Sequence, residues 1–235
     1  SLASWPEYNQ KNLQNFIDDK SKPFLNRAIA GLYAPGSIIK PLIALASLNE
    51  GVISPEKQIF SPGYISIPNP FFPDKKSIFY DWKAHGWVDM RQALAVSSDV
   101  YFYEIGGGFE NQKGLGIKNI EKYTKKFGFD SRTGVDLDGE QDGVVPNPEL
   151  KEKSNPEDPI WRIGDTYNAS IGQGYFHVTP IEMAVYTAAI ANNGKIIQPH
   201  LVSEGPSFAS EAKDGPSRSI DIPQNYFKIV KERMR

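Results

Sequence analysis

Cysteine is absent from this chain of 235 residues. Its absence excludes disulfide bonds, cysteine-ligated metal centres and a thiol nucleophile. No apolar run reaches the ~18 residues that a membrane-spanning helix needs. The first residues also lack the charged start and apolar core of a signal peptide. The 26 basic and 28 acidic side chains nearly cancel, which argues against nucleic-acid binding.

The remaining composition is that of an ordinary globular protein, with 40% hydrophobic and 23% charged residues. The length predicts one large domain or two small ones. His85, His177 and His200 lie far apart and show no metal-ligand spacing. His85 lies near Asp74 and Asp81 and could contact a cation, but surface or loop structure is the favoured interpretation. We therefore predict neither a metal nor a cofactor.

The clear elements are helices, separated by turns rich in glycine and proline. Helices are predicted over about 38–50, over 89–105 with a break at 97–99, and over 117–127, 180–192 and 224–235. A hairpin is predicted over 60–67 around a Pro-Gly turn, a strand over 195–202, and mostly irregular structure over 129–178. The first helix is apolar nearly all round, which predicts a buried central helix. The aromatic residues Trp82, Trp87 and 101–103 are predicted to be core.

Ser37 and Lys40 form a Ser-x-x-Lys motif at the start of this first helix. Helical spacing brings the lysine amine within one turn of the serine hydroxyl. Serine needs an adjacent base, and burial lowers the pKa of a lysine enough for it to act as one. Taken alone, Ser37 is more simply an ordinary N-cap residue. The same pattern at 54–57 and 210–213 lies in polar surroundings and predicts only surface.

A second motif, Ser97-Ser98-Asp99, falls at the predicted helix break. Such a triplet can bring a hydroxyl to a Ser–Lys pair as a proton relay, although alone it is a capping turn. Further segments accompany the two motifs in a fixed order: 3–9, 33–41, 97–103, 133–137 and 164–180. Together they resemble the transpeptidase domain of class B penicillin-binding proteins of the elongation (rod-shape), penicillin-binding protein 2-like type.

The resemblance implies an α+β fold of the penicillin-binding protein transpeptidase and serine β-lactamase kind. The chain would hold mainly its helical part with an incomplete central sheet, as one domain over 1–235 truncated at both ends. It implies that Ser37 is the acylated nucleophile, that Lys40 is its general base and that Ser97 relays a proton. Asp99 would orient Lys40 or the peptide.

The implied reaction is D,D-transpeptidation of peptidoglycan stem peptides ending in D-Ala-D-Ala, with β-lactams as mimics of the substrate. Gln173 and Gly174 are candidates for substrate binding. The resemblance also implies an extracytoplasmic location at the periplasmic face, an anchor outside this chain and a membrane glycosyltransferase partner. A serine β-lactamase or β-lactam sensor, and a non-catalytic scaffold, remain alternatives. The landmarks at 164–180 argue against the first, and the retention of both Lys40 and Ser97 argues against the second.

The family's third motif, Lys-Thr/Ser-Gly, does not occur in the sequence. Arg132-Thr133-Gly134 resembles it, but its position in the family order predicts a structural turn. The third motif is therefore expected beyond Arg235. On this interpretation the chain alone is a weak enzyme, and the apolar side of its first helix is left exposed.

Overall fold

The computed structural model describes residues 13–72, 74–202 and 218–234. Its helices are α1 (Arg27–Ala30), α2 (Lys40–Asn49), α3 (Met90–Val96), α4 (Asp99–Gly107), α5 (Ile117–Lys126), α6 (Pro148–Ser154), α7 (Ile163–Ser170), α8 (Pro180–Ala191) and α9 (Gln224–Lys231). Its strands are β1 (Ile59–Ser61), β2 (Tyr64–Pro68), β3 (Lys76–Tyr80), β4 (Gly86–Val88), β5 (Lys195–Ile196) and β6 (Arg218–Ser219). Within these ranges no helix is both long and apolar enough to cross a membrane. The segments 3–9 and 210–213 lie outside the described residues.

Helix α2 is the centre of the core, as its composition predicts. Every residue from Lys40 to Leu48 is buried. The helix packs against α4, α5 and α9, which cover the side that the sequence predicted to be exposed. That prediction is wrong, because helices rather than a sheet bury this side. Pro41 lies in the first turn, where its missing N–H removes no helical hydrogen bond.

The predicted N-cap role of Ser37 is also wrong. A 3₁₀ turn over Gly36–Ile39 leads directly into α2, and its N-cap is Pro35, which makes no side-chain cap. Gly36 enters the turn at φ +58°, and its N–H donates to the Gly172 carbonyl at 2.9 Å. The Ser37 hydroxyl therefore caps no helix and is exposed on the surface of the turn.

The local capping signals are confirmed. Asp89 caps α3 in a capping box with Gln92, and Thr179 caps α8 in one with Glu182. The predicted break is real, because α3 ends at Val96 and α4 begins at Asp99. Side chains that accept from the first free N–H groups fix these starts locally.

The predicted hairpin over 60–67 is wrong. Strand β1 pairs with β4, and β2 pairs with β3, all antiparallel. The Pro62-Gly63 turn therefore carries the chain from one two-stranded ribbon to the other. The predicted strand over 195–202 is only Lys195–Ile196, paired with β6. At the far end of the predicted strand, Leu201 and Val202 donate their backbone N–H groups to the Asp136 carboxylate.

The region 129–178 is more ordered than predicted, since it contains α6 and α7. The Arg132-Thr133-Gly134 segment is the structural turn that the sequence predicts, because Thr133 and Gly134 donate their N–H groups to the Glu140 carboxylate. The core prediction holds for the aromatic residues 101–103. It is wrong for Trp82 and Trp87, which are 62% and 63% exposed. Both lie on or beside short ribbons that are covered on one face only.

Candidate active site

Ser37, Lys40 and Ser97 line one cleft of about 270 Å³, which Thr187 and Arg233 help to close. Ser37 is exposed at its mouth. Lys40 is only 2% exposed. The cleft thus places an accessible hydroxyl one helical turn from a buried amine. No hydrogen bond joins these two groups among the described residues.

The Lys40 ammonium group instead contacts the break between α3 and α4. Its Nζ donates to the Ser97 carbonyl at 2.8 Å, to the Ser97 hydroxyl at 3.0 Å and to Asp99 Oδ1 at 2.6 Å. A lysine ammonium group has three protons, so all of them are used. The two motifs therefore meet through Lys40, while their roles in catalysis stay predictions.

The environment of Lys40 favours its neutral form. Burial lowers its pKa below the usual lysine value, while hydrogen bonding and charge from Asp99, and charge from Asp81, act in the opposite direction. The effect of burial is the larger. A lysine with a lowered pKa can accept a proton under milder conditions than one in water.

The backbone at the break positions these acceptors. Ser97 is the C-cap of α3 in the left-handed conformation, at φ 55° and ψ 44°. This conformation costs a non-glycine residue about 1–3 kcal/mol. Ser98 then caps α4 by accepting from the Tyr101 N–H. The sharp turn places three acceptors around the Lys40 ammonium group. They are the Ser97 carbonyl, the Ser97 hydroxyl and the Asp99 carboxylate.

The sequence missed the importance of Asp81, which supports this break from behind. Its Oδ2 accepts from the Ser98 hydroxyl at 2.7 Å, the Val100 N–H at 3.0 Å and the Ser61 hydroxyl at 3.3 Å. Burial raises the pKa of this carboxyl, but the hydrogen bonds from Val100 and Ser98 outweigh it and keep the pKa below its usual value. No spacing rule connects residue 81 to residue 98. The available signal was a lone acidic residue directly after a strand.

His85 lies beside Asp81, with its Nε2 3.4 Å from Asp81 Oδ1. It lies in the loop before β4, as the sequence favours, but its side chain is 2% exposed and is therefore interior rather than on the surface. In the part of the chain that the structure describes, no group of histidine, cysteine or acidic side chains could hold a metal ion.

Gln173 and Gly174 lie near the turn that carries Ser37. A β-carbon at Gly172 would lie 2.3 Å from the Gly36 carbonyl oxygen, so the two loops touch through glycine. Gln173 is next in sequence, and its Nε2 is 3.7 Å from the position a Gly36 β-carbon would take. Gly174 faces Asn168 instead. Neither residue is among those that line the cleft.

The comparisons with known proteins agree with this geometry. The family model described as the penicillin binding protein transpeptidase domain matches residues 1–235. The chain is 38% identical over 227 residues to peptidoglycan D,D-transpeptidase MrdA of Acinetobacter baumannii, covering 94% of this chain and 32% of that protein. It is 31% identical to MrdA of Escherichia coli K12, over 100% of this chain and 37% of that protein. The chain thus spans about a third of the length of these curated relatives.

Solved structures show the same similarity. Pseudomonas aeruginosa PBP2 in complex with WCK 5153 superposes with a TM-score of 0.79 at 34% identity, over 95% of this chain and 46% of that chain. The complex between PBP2 and MreC from Helicobacter pylori gives 0.76 at 32% identity, over 94% and 37%. The α+β fold predicted from the sequence is therefore confirmed.

Proposed function

Because the chain belongs to the penicillin-binding protein transpeptidase domain family, we propose that the protein is a peptidoglycan D,D-transpeptidase working through an acyl-serine intermediate. The observation that carries the proposal is the position of Lys40, which lines the same cleft as Ser37 and donates to both Ser97 and Asp99. A nucleophile, a buried amine, a second hydroxyl and a carboxylate are the groups that acyl transfer needs. The named transpeptidases among the relatives support it.

In the proposed acylation, Ser37 Oγ attacks the carbonyl carbon of the penultimate D-Ala and transfers its proton to neutral Lys40. A neutral amine keeps two protons and one lone pair. It can therefore still donate to Asp99 and to the Ser97 carbonyl while it accepts from Ser37. The Ser97 hydroxyl, 3.0 Å from the amine, then passes its proton to the leaving nitrogen of the terminal D-Ala and takes up the extra proton of Lys40, which returns Lys40 to its neutral form.

The proposed deacylation uses the same groups in reverse. An amine of a neighbouring strand attacks the ester carbonyl, gives up a proton through Lys40 and releases the Ser37 hydroxyl. In both steps a negatively charged oxygen forms beside Ser37, and we propose that N–H groups of the 3₁₀ turn that carries Ser37 stabilise it. Gln173 and Gly174 are proposed to contact the substrate from the neighbouring loop.

We also propose that 1–235 is a single domain, since one hydrophobic cluster extends from Ile39 to Val230. The proposed ligands are stem peptides and β-lactams, and the proposed location is extracytoplasmic. A membrane glycosyltransferase is the proposed partner. One structural relative, at 25% identity and a TM-score of 0.74, belongs to a peptidoglycan synthase complex that coordinates polymerization and crosslinking, which supports that partner. The Lys-Thr/Ser-Gly motif beyond Arg235 stays a prediction.

The test follows the fate of penicillin on the full-length protein. A transpeptidase forms a long-lived penicilloyl adduct and joins a D-Ala-D-Ala peptide to an added amine, and Ser37→Ala loses both reactions. Ser54→Ala is the matched control, because Ser54 begins the exposed Ser-x-x-Lys pattern and should leave both unchanged. Rapid release of penicilloic acid would indicate a β-lactamase. Absence of any adduct would indicate a non-catalytic scaffold.

A further inference from the structure

A second pocket, of about 520 Å³, lies at the carboxyl end of α4. Strands β1 and β2, the start of β4 and the loop after α4 contribute to its walls. It shares no lining residue with the cleft at Ser37. Its place in the fold therefore separates it from the catalytic groups.

Glu104 is the buried charged group of this pocket. It lines the pocket and is only 9% exposed. Among the described residues its carboxylate makes no hydrogen bond or ion pair. Burial, assisted by the charge of Glu110 and opposed by Lys57, raises the pKa of Glu104 to about 7. A carboxyl group that is buried without a partner costs stability unless a ligand supplies one.

The walls around Glu104 are aromatic. Phe60 and Trp87 face each other across β1 and β4, with ring centroids 5.3 Å apart. They are 50% and 63% exposed, and Tyr64 and Phe109 also line the pocket. The faces of aromatic rings attract cations, most strongly where water is partly excluded.

The electrostatics point to the same ligand. Glu104 and Glu110 both line the pocket, so two carboxyl groups contribute to its potential. Lys57 is the cationic residue of the lining. Its Nζ already donates to Gln112 Oε1 at 2.7 Å. The negative potential of the pocket is thus only partly compensated from within.

We propose that this pocket binds an alkylammonium group, the side-chain amine of a basic peptide residue, with Glu104 as its charge partner and Phe60 and Trp87 as its aromatic wall. The ammonium group donates to the Glu104 carboxylate, and its methylene stem lies along the rings. The proposal does not depend on the acylation chemistry at Ser37.

The pocket predicts a direction for pH dependence. A cation binds the ionised form of Glu104, and the pKa of this group in the free protein is about 7. Affinity therefore rises as the pH increases from 6 to 8, and binding releases a proton. The other ionisable groups of the lining are Glu110, Lys57 and Tyr64.

The experiment measures binding of N-acetyl-lysine N-methylamide to the full-length protein by calorimetry at pH 6 and pH 8. The matched neutral probe is the same compound with its side-chain amine acetylated. The lysine compound should bind, more tightly at pH 8, and the neutral compound should not. Equal binding of both probes, or no binding of either, would overturn the proposal.

Variants locate the binding. Glu104→Gln should weaken affinity for the lysine compound by about ten-fold, the worth of one hydrogen bond to a charged group. Trp87→Leu should weaken it by about three-fold, whereas Lys57→Met should strengthen it. Glu152→Gln is the control, because Glu152 is exposed on α6 and lines neither pocket. Unchanged affinity in both Glu104→Gln and Trp87→Leu would place the ligand elsewhere. If Glu104→Gln does not fold, Trp87→Leu and the pH series of the parent protein still test whether the lysine compound binds in this pocket.

Discussion

The two ends of helix α4 differ in whether their buried charged groups have partners. At its start, Asp99 binds Lys40 at 2.6 Å, and Asp81 accepts from the Ser98 cap at 2.7 Å. Every charged group there has a close partner. Toward its end, five residues after Asp99, Glu104 is buried in an aromatic-walled pocket with no hydrogen-bond partner among the described residues.

Burial disfavours the charged form of both groups. It lowers the pKa of Lys40 and raises the pKa of Glu104. Each shift favours the neutral form. The difference lies in the surroundings. Partners hold Lys40 in one geometry, which suits a chemical step, whereas the free space beside Glu104 suits a ligand. Substitutions of the groups around one end of α4 should leave the groups at the other end unchanged.

The largest effect is expected from Lys40→Ala. A nucleophile and its base act as a unit, so penicillin acylation should fall by about 10³-fold or more, nearly as far as in Ser37→Ala. The measurement is the second-order acylation rate of the full-length protein. Lysine binding at the Glu104 pocket should be unchanged in this variant. An acylation rate close to the parent's would mean that another group is the base.

The next largest effect is expected from Asp81→Ala, which should lower the stability of the fold. It removes the acceptor for the Ser98 hydroxyl and the Val100 N–H, so unfolding free energy should fall by about 3 kcal/mol. Urea unfolding measures this loss. Asp81→Asn keeps the shape and should lose less, and Asp74→Asn, on the exposed turn, should lose nothing. If Asp74→Asn lost as much unfolding free energy as Asp81→Ala, the hydrogen bonds of Asp81 at the start of α4 would not explain the loss.

Asp99→Asn should shift the pH profile of penicillin acylation rather than abolish acylation. Asp99 raises the pKa of Lys40 against the lowering by burial. Removal of its charge should therefore lower the Lys40 pKa further and move the acid limb of the acylation profile to lower pH. Asn keeps a hydrogen-bonding side chain and should be tolerated better than Ala. A limb that moves to higher pH would contradict the assignment of Lys40 as the base.

Glu104→Gln should change the stability of the fold without changing the acylation rate. The pKa of Glu104 is raised to about 7, so its protonated form stabilises the fold below about pH 4.3, the usual glutamate value. This contribution is lost as the pH rises through 7. The neutral variant should therefore melt several degrees higher than the parent at pH 8, at about 2–4 °C for each kcal/mol, with a smaller difference at pH 5. A lower melting temperature at pH 8 would show that the charge is stabilised from within.

The features that the sequence predicted correctly are the ones that neighbouring residues determine. The capping boxes at Asp89 and Thr179 involve residues three positions apart, and the apolar composition of α2 requires burial whatever covers it. The failures involve distant residues. Strand β1 pairs with β4, which follows the β2–β3 ribbon in sequence. Asp81 contacts Ser98, and no sequence spacing predicts that contact. Ser37 does not cap a helix because it lies inside the 3₁₀ turn of Gly36–Ile39, which contacts the distant Gly172.

We propose that the paired groups at the start of α4 activate Ser37. The most direct measurement is to treat the full-length protein with penicillin for a fixed time and locate the adduct by peptide mass. We expect one penicilloyl group on Ser37 in the parent protein and none in Lys40→Ala over the same time. An adduct on Ser97 or Ser54, or unchanged labelling of Ser37 in Lys40→Ala, would contradict it.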